Sequence, residues 1–178
     1  METQKYLDNN RVYLCGAMAA YADSGVSWRK WITPVLKEKY NLTVYDPSDK
    51  KVVSAGEIAE NKDKFRELIM AEKWSELKTA FAPVVHWDLR AVSKADFLIV
   101  YYDATAPSVG TYHELAWAQY DKKPILVKYD KEKLDKFNPW ISCLVKPHHL
   151  FSDWEKMFEY LDEINDGKII DTEHWSTV

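Results

Sequence analysis

A single doubly wound α/β domain with a mostly parallel, five-stranded sheet is the fold the sequence predicts. Short apolar runs rich in β-branched and aromatic residues alternate with segments of helical spacing, and neither a repeat nor a linker interrupts them. The longest run, Phe97 to Tyr102, is bounded by Asp96 and Asp103 and has the content of a strand buried on both faces. At 178 residues the chain is most simply one domain over 1–178, large enough to bury a core without disulfide or metal staples.

Taken in order, Arg11-Val-Tyr13-Leu-Cys15 is the first strand, and it ends at Gly16 in a small-residue turn where a ligand can approach the backbone. Ser27 is placed to cap a helix from about Trp28 to Tyr40, with Trp31, Val35 and Leu36 facing the sheet. Leu42 to Tyr45 is strand-like, and Asp46-Pro47-Ser48 stops it. A charge-rich helical pattern runs from Gly56 to about Ala80, either a solvated face or a lid, and Pro83 is expected to break it. Leu89 and Val92 then pack a short helix with Asp88 near its start, where an aspartate can serve as a cap. The third strand follows, and a helix opens with Tyr112, His113 and Glu114 in its first turn. Lys122-Lys123-Pro124 stops that helix ahead of a fourth strand, Ile125 to Lys128. Residues 129–138 read as irregular, and Pro139 to Val145 as a short helix or a loop. His149 to Phe151 is the last strand, and Ser152 caps a helix with Trp154, Met157, Phe158 and Leu161 as its core stripe. Ile169, Ile170 and Trp175 make the tail apolar enough to dock on this subunit or a neighbour. The whole is flavodoxin/Rossmann-like, and right-handed crossovers bring the ends of strands one and three to one edge.

Charge and cysteine usage narrow the partners. A net charge of -4 argues against a nucleic-acid polymer, which needs a basic surface, while a small anion needs only local donors. The 14% aromatic share suits core filling first, and flat apolar ligands or oligomer contacts second. Cys15 and Cys143 form no metal-like pair and read as free thiols of a reducing compartment. With no signal-like apolar start and no run approaching a membrane span, a cytoplasmic protein without membrane contact is expected. His148-His149 lacks a third ligand at usable spacing, so neither metal nor cofactor is expected.

The chemistry is expected where the third strand hands over to the next helix, because ligands of open α/β sheets bind at such strand ends. The loop Pro107-Ser108-Val109-Gly110 lies there, and its hydroxyl and amides suit a sugar or a phosphate. Glu114 is either a reactive carboxylate or a first-turn partner of the helix dipole. Asp103 is either a turn former or a sugar ligand, and Gly16 can border the same cleft. Arg29 and Lys30 read as solvated first-turn residues within possible reach of a phosphate.

Four pieces, in this order, resemble the nucleoside 2-deoxyribosyltransferase superfamily. They are Val12-Tyr13-Leu-Cys-Gly16, Asp88 in His-Trp-Asp-Leu, the Ala95-Asp96-Phe-Leu-Ile-Val strand, and Pro107-Ser108-Val-Gly110-Thr-Tyr-His113-Glu114-Leu-Ala-Trp-Ala118. The sequence is most similar to the branch of 2'-deoxynucleoside 5'-monophosphate N-glycosidases. The resemblance implies that Glu114 is a nucleophile forming a glycosyl ester and that Tyr13 holds and tunes it. It implies that Asp88 recognises sugar and base and delivers a proton to the leaving base. It also implies that Ser108 contacts a 5'-phosphate where enzymes of free nucleosides carry an aspartate. Tyr112 and His113 depart from the small or apolar residues usual before that glutamate, Asp103 adds an acid, and the helix from Gly56 is longer than the resemblance suggests.

These residue types suit the chemistry. N-glycosidic cleavage passes through an oxocarbenium-like transition state that a carboxylate stabilises and traps, and the departing base needs an acid. The expected activity is cleavage of a nucleoside or its 5'-monophosphate, with water or a second base as acceptor. A homo-oligomer is expected from the resemblance. A non-catalytic nucleotide sensor or an interaction module on the same fold are the rival readings.

Overall fold

The structure, a computed structural model, describes residues 5–18, 20–49, 59–106 and 108–168. Five strands form one all-parallel sheet: β1 (Arg11–Gly16), β2 (Thr43–Tyr45), β3 (Phe97–Tyr102), β4 (Ile125–Tyr129) and β5 (Leu150–Phe151), in the order β2-β1-β3-β4-β5. The helices are α1 (Val26–Tyr40), α2 (Ala59–Met70), α3 (Trp74–Lys94), α4 (Val109–Tyr120), α5 (Pro139–Leu144) and α6 (Trp154–Asn165), with 3₁₀ turns at Lys131–Lys136 and Pro147–His149.

The two-residue period of the strands sorts side chains onto two cores. Val12, Leu14, Phe97 and Ile99 point to one face, where Ile32 and Leu36 of α1 and Met157, Leu161 and Ile164 of α6 close over them. Tyr13, Cys15, Leu98, Val100 and Tyr102 point to the other, beneath Ala91 and Val92 of α3, Leu115 and Ala118 of α4, and Ile141 of α5. The strand order reverses between β1 and β3, whose paired ends bring Gly16 opposite Tyr101. Their carboxyl ends therefore share one edge, as the crossover argument requires, and a crevice opens there.

Several local expectations are corrected. Pro83 does not end a helix; it lies within the 21-residue α3. The helix breaks instead at Glu72, in the left-handed region at φ 53, where the Lys73 amide reaches back to the Leu68 carbonyl at 2.9 Å. That is a helix-terminating turn, and it divides the charged segment into α2 and α3, which touch through an edge-on Phe65–Phe81 contact. Residues 56–58 of that segment lie outside the described residues. Asp88 consequently sits mid-helix, where it has no capping role.

Ser27 is not the cap of α1: the helix opens from Gly25 at φ 68, and Asp23 accepts from the amides of Gly25 and Ser27 and from the Ser27 hydroxyl. Trp31 is 51% exposed and lies against Trp154 and Phe158, so Ile32 takes the place expected for it beside Leu36. Asp153 rather than Ser152 caps α6, accepting from the Lys156 amide. Residues 139–144 are helical, as one of two alternatives had it. Ile169, Ile170 and Trp175 lie outside the described residues.

Candidate active site

At the β1/β3 edge lies a cavity of about 330 Å³, walled by β1, the middle of α3 and the first turns of α4. Alternation along β1 puts Tyr13, which lines the cavity, and Cys15 on one face of the sheet, α3 brings Asp88, and α4 brings Glu114. The Tyr13 hydroxyl donates to Oε1 of Glu114 at 2.8 Å and lies 3.3 Å from Oδ1 of Asp88. The Cys15 thiol donates to Oε2 of Glu114 at 2.9 Å. Tyr13 and Cys15 are fully buried, and Asp88 and Glu114 are 8% and 9% exposed. Two carboxylates thus converge on one phenol at the wall of a cleft.

Burial, reinforced by the Glu114 charge, pushes both the Tyr13 phenol and the Cys15 thiol well above their ordinary values. Both keep their protons at neutral pH and act as donors to the carboxylate. Glu114 lies five residues beyond the first residue of α4, past the first turn to which the dipole effect is confined. The dipole-partner alternative loses its geometric basis.

Ser108 caps α4, its hydroxyl accepting from the Thr111 amide at a long 3.4 Å. With Val109, Gly110 and Thr111 it lines the cavity, so the amino end of the helix faces the space. Gly110 itself is not demanded by space, since an added Cβ would meet only the Ser108 hydroxyl at 3.8 Å. Gly16 is: a Cβ there would come within 2.8 Å of the Tyr101 carbonyl. His113 is exposed at the cavity's border and makes an edge contact with Trp117.

Asp103 is not brought to this cavity. It accepts from the Thr105 amide and hydroxyl at 2.9 and 2.6 Å and from the Tyr21 hydroxyl at 2.7 Å, and pairs with Lys133 at 2.8 Å. Burial pushes its carboxyl up, but Lys133, Thr105 and Tyr21 outweigh that and hold it well below the usual range. Its observed partners are those of the turn former. Arg29, expected in solvent, is fully buried. Its guanidinium donates to the carbonyls of Leu14, Gly25 and Gly16 at 3.3, 2.8 and 3.0 Å and lies 3.7 Å from Asp46, which shapes the loop behind Gly16.

Cys15 and an apolar wall escaped the sequence reading. Phe81, Val84, Val85 and Leu89 of α3 line the cavity beside Asp88, with Met18 and Pro47 from the loops. Their spacing at i, i+3, i+4 and i+8, with Asp88 at i+7, is the helical signal. Reading Pro83 as a stop cut that stripe in two. Alternation from Tyr13 would have placed Cys15 on the same face.

No family model matches the sequence, and no curated protein matches it. Solved structures do. A conserved protein from Enterococcus faecalis V583 superposes with a TM-score of 0.60 at 15% identity, over 88% of this chain and 99% of the other. A 2-deoxyribosyltransferase from Bacillus psychrosaccharolyticus does so with a TM-score of 0.55 at 19% identity, over 85% of this chain and 95% of the other. A CMP N-glycosidase from Clostridium botulinum aligns at 17% identity over 87% of this chain and 98% of the other, with a TM-score of 0.44. The five-stranded parallel sheet and its flanking helices are thus the nucleoside 2-deoxyribosyltransferase-like fold.

Proposed function

We propose that the protein cleaves the N-glycosidic bond of a (deoxy)nucleoside 5'-monophosphate or nucleoside through a covalent Glu114 intermediate. The observation that carries this is the convergence of Tyr13, Asp88 and Glu114 on one cavity at the sheet's switch point. That the similar Bacillus structure is a 2-deoxyribosyltransferase agrees with it.

In this reading a Glu114 oxygen bonds to the anomeric carbon as the bond from that carbon to the base nitrogen breaks. The electron pair leaves with the base, which takes a proton from an acid. Tyr13 has a single proton to donate and two carboxylates beside it. Glu114 is the nearer acceptor, and in this reading Asp88 is the acid that serves the leaving base. Water or a second base then attacks the same carbon and frees Glu114. The apolar wall of Phe81, Val84, Val85 and Leu89 suits the flat base, and the amino end of α4 suits the 5' substituent. Ser108 caps the helix only loosely, so a phosphate can take over the amides while the hydroxyl turns to donate to it. No metal or cofactor is needed for any step.

The test is incubation with a panel of nucleosides and 5'-monophosphates, with and without a spare base, followed by chromatography. Free base identifies a hydrolase, and a new nucleoside a transferase. Glu114→Gln is expected to abolish turnover while substrate binding survives, and full activity in Glu114→Ala would refute the covalent step. Ser108→Asp is expected to remove a preference for monophosphates, because a carboxylate repels the phosphate; equal rates on both substrates in the unaltered protein would count against the phosphate site. Nucleotide binding without release of base would point to a sensor.

A further inference from the structure

We propose that Cys15 is a positioning residue for Glu114: its thiol donates to Oε2 and fixes the orientation in which the carboxylate meets the anomeric carbon. The inference rests on the glycosyl-transfer reading above. Its geometric basis is a pair of donors on opposite oxygens of one carboxylate, Tyr13 on Oε1 at 2.8 Å and Cys15 on Oε2 at 2.9 Å.

A glutamate side chain held at one oxygen still pivots about that contact, because its terminal torsion is broad. Held at both, its plane is set, and the lone pairs that attack have one direction. Reactive alignment of this kind lowers the barrier without adding contacts to the ground-state substrate. β1 makes the arrangement possible: residues two apart on a strand share a face, and both side chains are fully buried. Thr111, buried on α4, stands three residues before Glu114 on the same helix. The helix thus supplies the acceptor of the thiol, and the strand supplies the donor.

The choice of sulfur has a chemical consequence. A thiol is a weak donor, so it steers Oε2 while withdrawing less electron density from it than a hydroxyl would. Burial and the neighbouring carboxylate keep the sulfur protonated, so it does not compete with Glu114 as a nucleophile.

The experiment compares C15A, C15S and the unaltered protein on whichever substrate releases base, measuring kcat, KM and melting temperature. A positioning role predicts a fall in kcat of roughly 10-fold in C15A, the worth of one hydrogen bond to a charged group. It predicts KM within about 2-fold, since ground-state binding is untouched. C15S, which restores a donor, recovers most of the rate. Packing alone predicts the reverse order, with the buried hydroxyl of C15S at least as harmful as C15A and rate loss tracking loss of melting temperature. That order, or a kcat in C15A equal to that of the unaltered protein, overturns the proposal. If C15A does not fold, C15V fills the space without a donor and is judged by the same criteria. Base release by the unaltered protein with an indifferent C15A sinks the positioning role alone, whereas full activity in Glu114→Ala sinks the underlying reading and this one with it.

Discussion

Tyr13 shows how much one side chain gains from its surroundings. A tyrosine in a strand is ordinarily a packing residue with its hydroxyl turned to water. Here burial leaves the hydroxyl two polar neighbours, Glu114 and Asp88, and the low dielectric strengthens its hydrogen bond. Tyr13→Phe keeps the ring and removes that donor. Under the proposed reaction kcat is expected to fall about 10- to 100-fold, from the roughly 1.5–3 kcal/mol that a hydrogen bond to a charged group is worth. Steady-state kinetics beside a thermal melt would separate this from unfolding, and an unchanged kcat would remove Tyr13 from the mechanism. Ser108 is the opposite case. Its role as a helix cap explains its presence without any ligand, so only substrate preference can reveal a second role.

Among the elements, α3 departs furthest from its sequence signature. Proline within a helix removes one backbone hydrogen bond and crowds the preceding turn, yet α3 continues through Pro83. Pro83 itself is exposed, whereas the neighbouring Val84 is buried and Phe81 packs on Phe65. Tertiary packing outweighs the local penalty. Pro83→Ala is expected to raise stability, by up to about 3 kcal/mol, because alanine restores the hydrogen bond. Urea denaturation would read this, and a loss of stability would mean that the proline shapes a bend the cavity wall depends on. The 3₁₀ turn after β4 has another source of order: Lys133 ties it to Asp103 at the end of β3 and to Asp130.

For the molecule as a whole, the sheet order decides where chemistry is possible. Placing β1 beside β3 puts Gly16 and the start of α4 on one edge, and no contiguous stretch of sequence contains all of these parts. Arg29 then locks the crevice from behind, joining the end of β1, the start of α1 and the loop after β2. Arg29→Met keeps the bulk but leaves three carbonyls and Asp46 without that partner. It is expected to cost roughly 3–5 kcal/mol, the penalty for breaking a buried charged contact. Equilibrium unfolding would measure it, and a loss within 1 kcal/mol of zero, the scale of surface pairs, would show that water reaches those carbonyls. Among the described residues no helix is long and apolar enough to cross a membrane.

The sequence by itself determined the α/β class, the five strands and the order of the site's parts along the chain. These depend on period, on apolar run length and on turn residues, which are local quantities. It also pointed to Ser108 and Glu114 from their place after the third strand, and to Tyr13 and Asp88 only through the resemblance of their flanking residues to a known family. Only the tertiary structure decided which local signals were overruled. Pro83 lost to packing, Ser27 lost its capping role to a helix start at Gly25 and Ser152 to Asp153, and Arg29 was drawn inward by three carbonyls. Asp103 found Tyr21 and Lys133 in place of the cavity. The Cys15 thiol found Glu114, 99 residues away along the chain. Such partnerships depend on distances between residues remote in sequence, and pattern carries no measure of those distances.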